Sequence, residues 1–108
     1  MEFEFIETDI FTKEIGRIVS DAEYGKLQAA LIHKPDLGTL IPGGHGLRKL
    51  RWSLADKGKS GGIRVLYYLY LSEREIYMLY VFRKSDQSDL SRTQLSVLGH
   101  YVKKYLKH

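Results

Sequence analysis

The chain has 108 residues, a formal charge of +4 and no cysteine. That length fits one domain with its own core, expected to span residues 1–108. The lack of cysteine excludes disulfides, thiolate chemistry and cysteine-type zinc sites; it fits a reducing compartment, so a cytoplasmic location is expected.

The N-terminal MEFEFIETD is acidic and alternating, unlike a secretory signal. No apolar run approaches the roughly 20 residues of a membrane helix, so no membrane partner is expected. Glu2–Glu7 alternates as a half-buried strand, with Phe3 and Phe5 on one side. From Asp9 the period lengthens. Phe11, Ile15, Ile18 and Val19 predict a short helix over Ile10–Val19. Ser20-Asp21-Ala22-Glu23 reads as a capping box that starts a second helix. Tyr24, Leu27, Ala30 and Leu31 form its apolar stripe, and Pro35 ends it near His33.

Asp36–Gly46 follows Pro35 directly and holds Pro42 and four of the ten glycines, so a loop is expected there. Leu47–Leu54 then alternates. Leu50, Trp52 and Leu54 share one face; Lys49, Arg51 and Ser53 share the other. The loop Asp56–Gly62 follows. Ile63–Leu71 is apolar on both faces after Arg64, as a central strand is. Ser72-Glu73-Arg74 makes a short connection to another such strand, Glu75–Phe82. Ser91-Arg92-Thr93-Gln94 is a second capping box. Leu95, Leu98, Val102, Tyr105 and Leu106 give a C-terminal helix its stripe. The order is β-α-α-β-β-β-α. It predicts an α+β fold: a small antiparallel-rich sheet with helices packed on one face. The other face is left for Lys49, Arg51 and Arg64.

The stretch Leu47–Tyr68 carries Arg48, Lys49, Arg51, Lys57, Lys59 and Arg64 against one acid, Asp56. Like charges repel, so such a cluster does little for folding. It makes sense when the negative charge comes from outside, most simply as phosphate. Several site chemistries fail on spacing. Gly58-Lys59-Ser60 lacks the upstream glycine and the following helix of a phosphate-binding P-loop. His33, His45, His100 and His108 show no metal-ligand spacing, so neither a metal nor another cofactor is expected. Ser53 and Ser60 have no His/Asp partners for acyl transfer. His45, close to the basic strand, is a loop residue that could also serve acid–base chemistry.

An RNA phosphodiester can be cut by its own neighbouring 2′-hydroxyl. Such a reaction needs an in-line geometry, a neutralised transition-state charge and proton transfer, but no protein nucleophile. Arg64 is best placed for the neutralisation, because a strand holds it more rigidly than a loop. Lys57 and Lys59 on the loop, with Arg48, are expected to grip RNA backbone. Tyr68 shares the Arg64 face by alternation and could stack on a base. The same cations could equally bind nucleic acid without cutting it, or receive an acidic protein.

The runs L-R-K-L-R (Leu47–Arg51), K-G-K-S-G-G-I-R-V-L-Y-Y (Lys57–Tyr68) and K-S-D-Q-S-D-L-S (Lys84–Ser91) resemble HigB/RelE-type toxins of bacterial type II toxin–antitoxin modules. The resemblance implies a RelE-like fold and a ribosome-dependent mRNA endonuclease (mRNA interferase) that inhibits translation. In such toxins the 2′-hydroxyl attacks, without metal, and leaves a cyclic phosphate and a 5′-hydroxyl. The resemblance also implies a cognate antitoxin, often of helix-turn-helix type, alongside ribosome and mRNA as partners. It makes Arg64 the phosphate-stabilising residue. Lys49 and Arg51 become the basic pair that assists proton transfer and charge stabilisation, and Lys84 the basic residue after the last strand. Phe82 stands where relatives often have tyrosine, and no tyrosine follows Ser88-Asp89-Leu90. The general base is therefore open among Lys49, Tyr68, Asp89 and assistance from the ribosome. A RelE-fold toxin with a non-RNA target, such as a gyrase poison, and a non-catalytic nucleic-acid-binding module are the alternatives.

Overall fold

The computed structural model describes residues 2–54 and 62–106. Lys57 and Lys59 lie outside the described residues, as does Asp56. The elements are β1 (Glu4–Glu7), α1 (Asp9–Ile18), α2 (Asp21–His33), β2 (Thr39–Leu40), β3 (Leu47–Trp52), β4 (Ile63–Tyr70), β5 (Glu75–Arg83) and α3 (Arg92–Tyr101). A single π-helical turn, Val102–Leu106, continues α3.

Side-chain caps start all three helices. Thr8 accepts from the Phe11 amide, Ser20 from Glu23 and Ser91 from Gln94. Only the last is a reciprocal box, with the Gln94 side chain accepting from the Ser91 amide at 2.9 Å. The Glu23 carboxylate turns instead toward Trp52, whose indole N–H donates to it at 3.4 Å.

The sheet has five strands in the order β1-β5-β4-β3-β2. Its core is the antiparallel meander β3-β4-β5. β1 closes one edge, parallel to β5, and so departs from an all-hairpin sheet. β2 closes the other edge. It is two residues long and sits inside the Gly/Pro-rich segment, too short to show any alternation in sequence.

The α+β layering is as expected, with one refinement: the helices divide between the two faces. Phe11, Ile15, Leu27 and Leu31 of α1 and α2 pack with Leu50, Ile63, Val65, Tyr67 and Met78. Leu95, Leu98, Val102 and Leu106 of the C-terminal segment pack with Leu47, Leu66, Leu79 and Phe82. Val65 and Tyr67 alternate with Leu66 along β4, so the two clusters lie on opposite faces. A β-bulge near Leu79 shifts the alternation of β5, so Met78 and Val81 join one cluster and Leu79 and Phe82 the other. Two apolar faces on β4 and β5 require cover on both sides, and α3 supplies the second layer. The face that carries Lys49, Arg51 and Arg64 is thus roofed at one end by α3, not open throughout.

Gly99 on α3 makes that close approach possible. A Cβ there would stand 3.4 Å from the Gly43 carbonyl oxygen and 3.5 Å from His45 Cδ2. The loop against it turns through left-handed backbone at Gly43, His45 and Gly46, with φ of 78°, 59° and 106°.

Candidate functional site

Strand register decides which cations meet. Leu47, Lys49 and Arg51 share one face of β3, the α3 face. Arg64 shares that face of β4 with Leu66. Arg51 pairs directly with Arg64, and Arg64 with Phe82 of β5. The ladder runs one step past β5, because the Lys84 amide donates to the Gly62 carbonyl at 3.0 Å. Counting on from Phe82 puts Lys84 on the same face. Lys49, Arg51, Arg64 and Lys84 therefore share one face at one end of the β3-β4-β5 meander, next to Leu66 and Phe82 of the α3 layer.

Their settings differ. Arg51 and Lys84 are exposed, whereas Arg64 is only 8% exposed. Its Nη1 donates to the carbonyl of Ile63 at 3.2 Å. Among the described residues no carboxylate lies within ion-pair distance of Arg64. The expectation of a cation on an open face is corrected here: Arg64 forms part of the floor. On the central strand Arg64 is flanked by Arg51 on β3 and Phe82 on β5, whose side chains stand beside its stem.

Lys49 is paired. Its Nζ lies 2.9 Å from Asp89 Oδ1. Asp89 is fixed in turn, since Oδ1 also accepts from the Leu90 amide at 2.8 Å. Gln87 Nε2 donates to the Asp89 carbonyl and to Gln94 Oε1, both at 2.8 Å, which ties the segment to the cap of α3. The Lys49 hydrogen bond, then the Leu90 amide, hold the Asp89 carboxyl below the usual carboxylate range, and the nearby Arg64 charge adds to this. Nothing in the spacing of Ser88-Asp89-Leu90 announced that partnership across forty positions of sequence separation.

Other expected residues lie elsewhere. Arg48 points to the opposite face, where its Nη1 donates to the Gly38 carbonyl at 2.7 Å. Tyr68 does share the Arg64 face, but four residues along the strand is roughly 13 Å. It packs there against Tyr77 and Gly46. Arg48, Tyr68 and His45 together line a separate cleft of about 370 Å³. The anticipated set thus splits into a four-cation corner and a distant cleft. Among the described residues no group of histidines and carboxylates is arranged to hold a metal ion.

A mixed sheet with a basic corner and helices on both faces defines a small α+β protein. Residues 6–108 match the model of the RelE toxin of the RelE / RelB toxin-antitoxin system, and the chain belongs to that family. Its fold is similar to the free state of a double arginine-to-alanine mutant of E. coli toxin RelE, with a TM-score of 0.59 and 14% identity. That match covers 98% of this chain and 100% of the other. It is also similar to a chain of the intact E. coli RelBE toxin-antitoxin complex, with a TM-score of 0.55 and 15% identity, covering 76% of this chain and 96% of that one.

Proposed function

We propose that this chain is the toxin of a toxin–antitoxin pair and cuts mRNA on the ribosome, in the cytoplasm, until a cognate antitoxin neutralises it. The observation that carries the reading is the convergence of Lys49, Arg51, Arg64 and Lys84 on one sheet corner with Asp89 as the one ion-paired acid among the described residues there. Four cations around one carboxylate leave positive charge for a phosphodiester to balance.

The 2′-oxygen of the substrate attacks phosphorus, and the bond to the 5′-oxygen breaks. The products are a 2′,3′-cyclic phosphate and a 5′-hydroxyl, and the nucleophile comes from the RNA itself. Arg64, held in the floor, donates to the non-bridging oxygens as charge builds on them. Arg51 and Lys84 neutralise the flanking charge and hold the strand in line. The 2′-hydroxyl proton passes to solvent, and Lys49, an ammonium in its pair with Asp89, gives a proton to the departing 5′-oxygen. Asp89, held low, is a weak base at neutral pH; its part is to aim the Lys49 amine. Tyr68 stands too far along its strand to act on the same phosphate as Arg64.

Primer extension on mRNA from cells expressing the chain tests this reading. Codon-phased cuts that disappear on Arg64→Lys or Lys49→Met are expected. Growth arrest with intact mRNA would overturn it in favour of a non-RNA target.

A further inference from the structure

The outer edge of β3 holds a feature that the cation corner does not use. The Ile41 amide donates to the Leu47 carbonyl, so the main-chain groups of Leu47, Lys49 and Arg51 face outward, toward β2. The other side of the ladder agrees. The Lys84 amide bonds to the Gly62 carbonyl, so the even residues of β4 face β5 and the odd ones face β3, where their partners are Arg48, Leu50 and Trp52. β2 reaches only to Thr39, which pairs with Lys49. The next outward residue, Arg51, presents its N–H and C=O past the end of β2, with no main-chain partner among the described residues.

Arg51 also lines a cleft of about 500 Å³, with Leu37, Thr39, Lys49, Leu50 and Trp52. Leu37, Leu50 and Trp52 give it an apolar wall. Trp52 is half-buried against the α1–α2 core, and its indole is tethered to Glu23. Its lip carries Lys49 and Arg51, both also members of the cation corner.

We infer that this cleft is a nucleobase subsite for the residue next to the scissile phosphate, with the Arg51 main chain reading the base edge and Trp52 packing on its face. The inference rests on the endonuclease reading above and adds to it where the base goes. One N–H beside one C=O offers a donor and an acceptor on a single line, which matches the edge of a base. An added peptide strand would need several such residues, and β2 already occupies the rest of the edge. An aromatic ring held in place stacks on any base at little ordering cost. The two cations at the lip suit a polyanion.

The test separates binding from cutting. Trinucleotides with 2′-O-methyl groups cannot cut themselves, so they report the subsite whether or not the chain is a nuclease. Titrated into the 15N-labelled chain, they should shift the Arg51 amide and the Trp52 indole N–H, and purine and pyrimidine centres should differ in affinity at least fivefold. A trinucleotide with an abasic centre should leave both signals in place. Thr39→Tyr, on an exposed strand position, should fill the cleft and weaken binding about tenfold with an unchanged circular dichroism spectrum. Trp52→Leu should erase the base preference. Equal affinity for abasic and intact trinucleotides, or an Arg51 amide that moves only with an antitoxin peptide, overturns the inference. Loss of codon-phased cuts in cells with the amide shifts retained would instead remove the endonuclease reading and leave a base-binding cleft.

Discussion

Arg51 and Arg64 stand directly opposite each other across β3 and β4, at a position where the two residues exchange no main-chain hydrogen bonds. Side chains come closest at such positions, with Cβ atoms about 4.5–5.5 Å apart. Two guanidinium stems are therefore set side by side on one face, and like charges placed this way destabilise the sheet. The fold tolerates the pair because Arg51 is exposed and water screens its charge. Arg51→Gln should thus raise stability to urea by about 0.2–1 kcal/mol while cutting mRNA cleavage about 10²–10³-fold. A urea melt and a ribosome-dependent cleavage assay on the same preparation check both signs. A variant that is destabilised and fully active would show that the opposition has no functional use.

Arg64 calls for a different substitution. Its side chain is 8% exposed, so Arg64→Ala removes packing as well as charge and should destabilise by about 1–3 kcal/mol. Arg64→Met keeps most of the stem volume and loses only the guanidinium. It should melt within about 1.5 kcal/mol of the parent and still lose about 10²–10³ in cleavage. Cleavage that tracked melting temperature through both variants would mark Arg64 as structural.

The three helices, the β3-β4-β5 meander and the basic face were legible in the sequence because each rests on local signals. Capping residues at Ser20 and Ser91 and alternation around Lys49 and Arg64 fixed their places. What alternation cannot show is which layer covers a doubly apolar strand, so the placement of α3 on the cation face was hidden. Burial of Arg64 was hidden as well, because alternation tells the face of a side chain but not how far its neighbours cover it. The Asp89–Lys49 pair and the edge left open by β2 depend on contacts between distant segments, to which no periodicity points. Tyr68 shows the converse: face parity was right, but distance along the strand placed it in another cleft.

The Lys49–Asp89 pair yields a pH prediction. The folded carboxyl of Asp89 titrates below its ordinary value of 3.8. A depressed folded value means that the pair's contribution is fully present above about pH 4–5. It is lost as pH falls through the lowered value. The pair should stay intact from pH 5 to 8, and any cleavage change in that window belongs to another group. The side-chain carbonyl 13C resonance of Asp89 should titrate with a midpoint under 3.8. Asp89→Asn should change stability by less than about 1 kcal/mol, as for an exposed ion pair. It should still slow cleavage, because Lys49 loses its anchor.

Tyr67 holds the approach to the β3 edge. It is fully buried, and its hydroxyl donates to the Pro35 carbonyl at 2.7 Å and accepts from the Gly38 amide at 2.9 Å. Burial pushes the phenol above its ordinary range, partly offset by the Gly38 amide. Gly38 can sit there because it has no side chain; a Cβ would fall 2.8 Å from the Tyr67 ring. These contacts fix the segment that carries Leu37 and Thr39 over the cleft beside Arg51. Tyr67→Phe keeps the ring and leaves a buried donor and acceptor unmatched. The expected cost is about 1–3 kcal/mol. If the segment shapes the cleft, the Thr39 amide should also exchange hydrogen faster in the variant, whereas amides in the centre of β5 keep their order of protection. Unchanged exchange at Thr39 in a destabilised protein would show that Tyr67 stabilises the fold without shaping that edge.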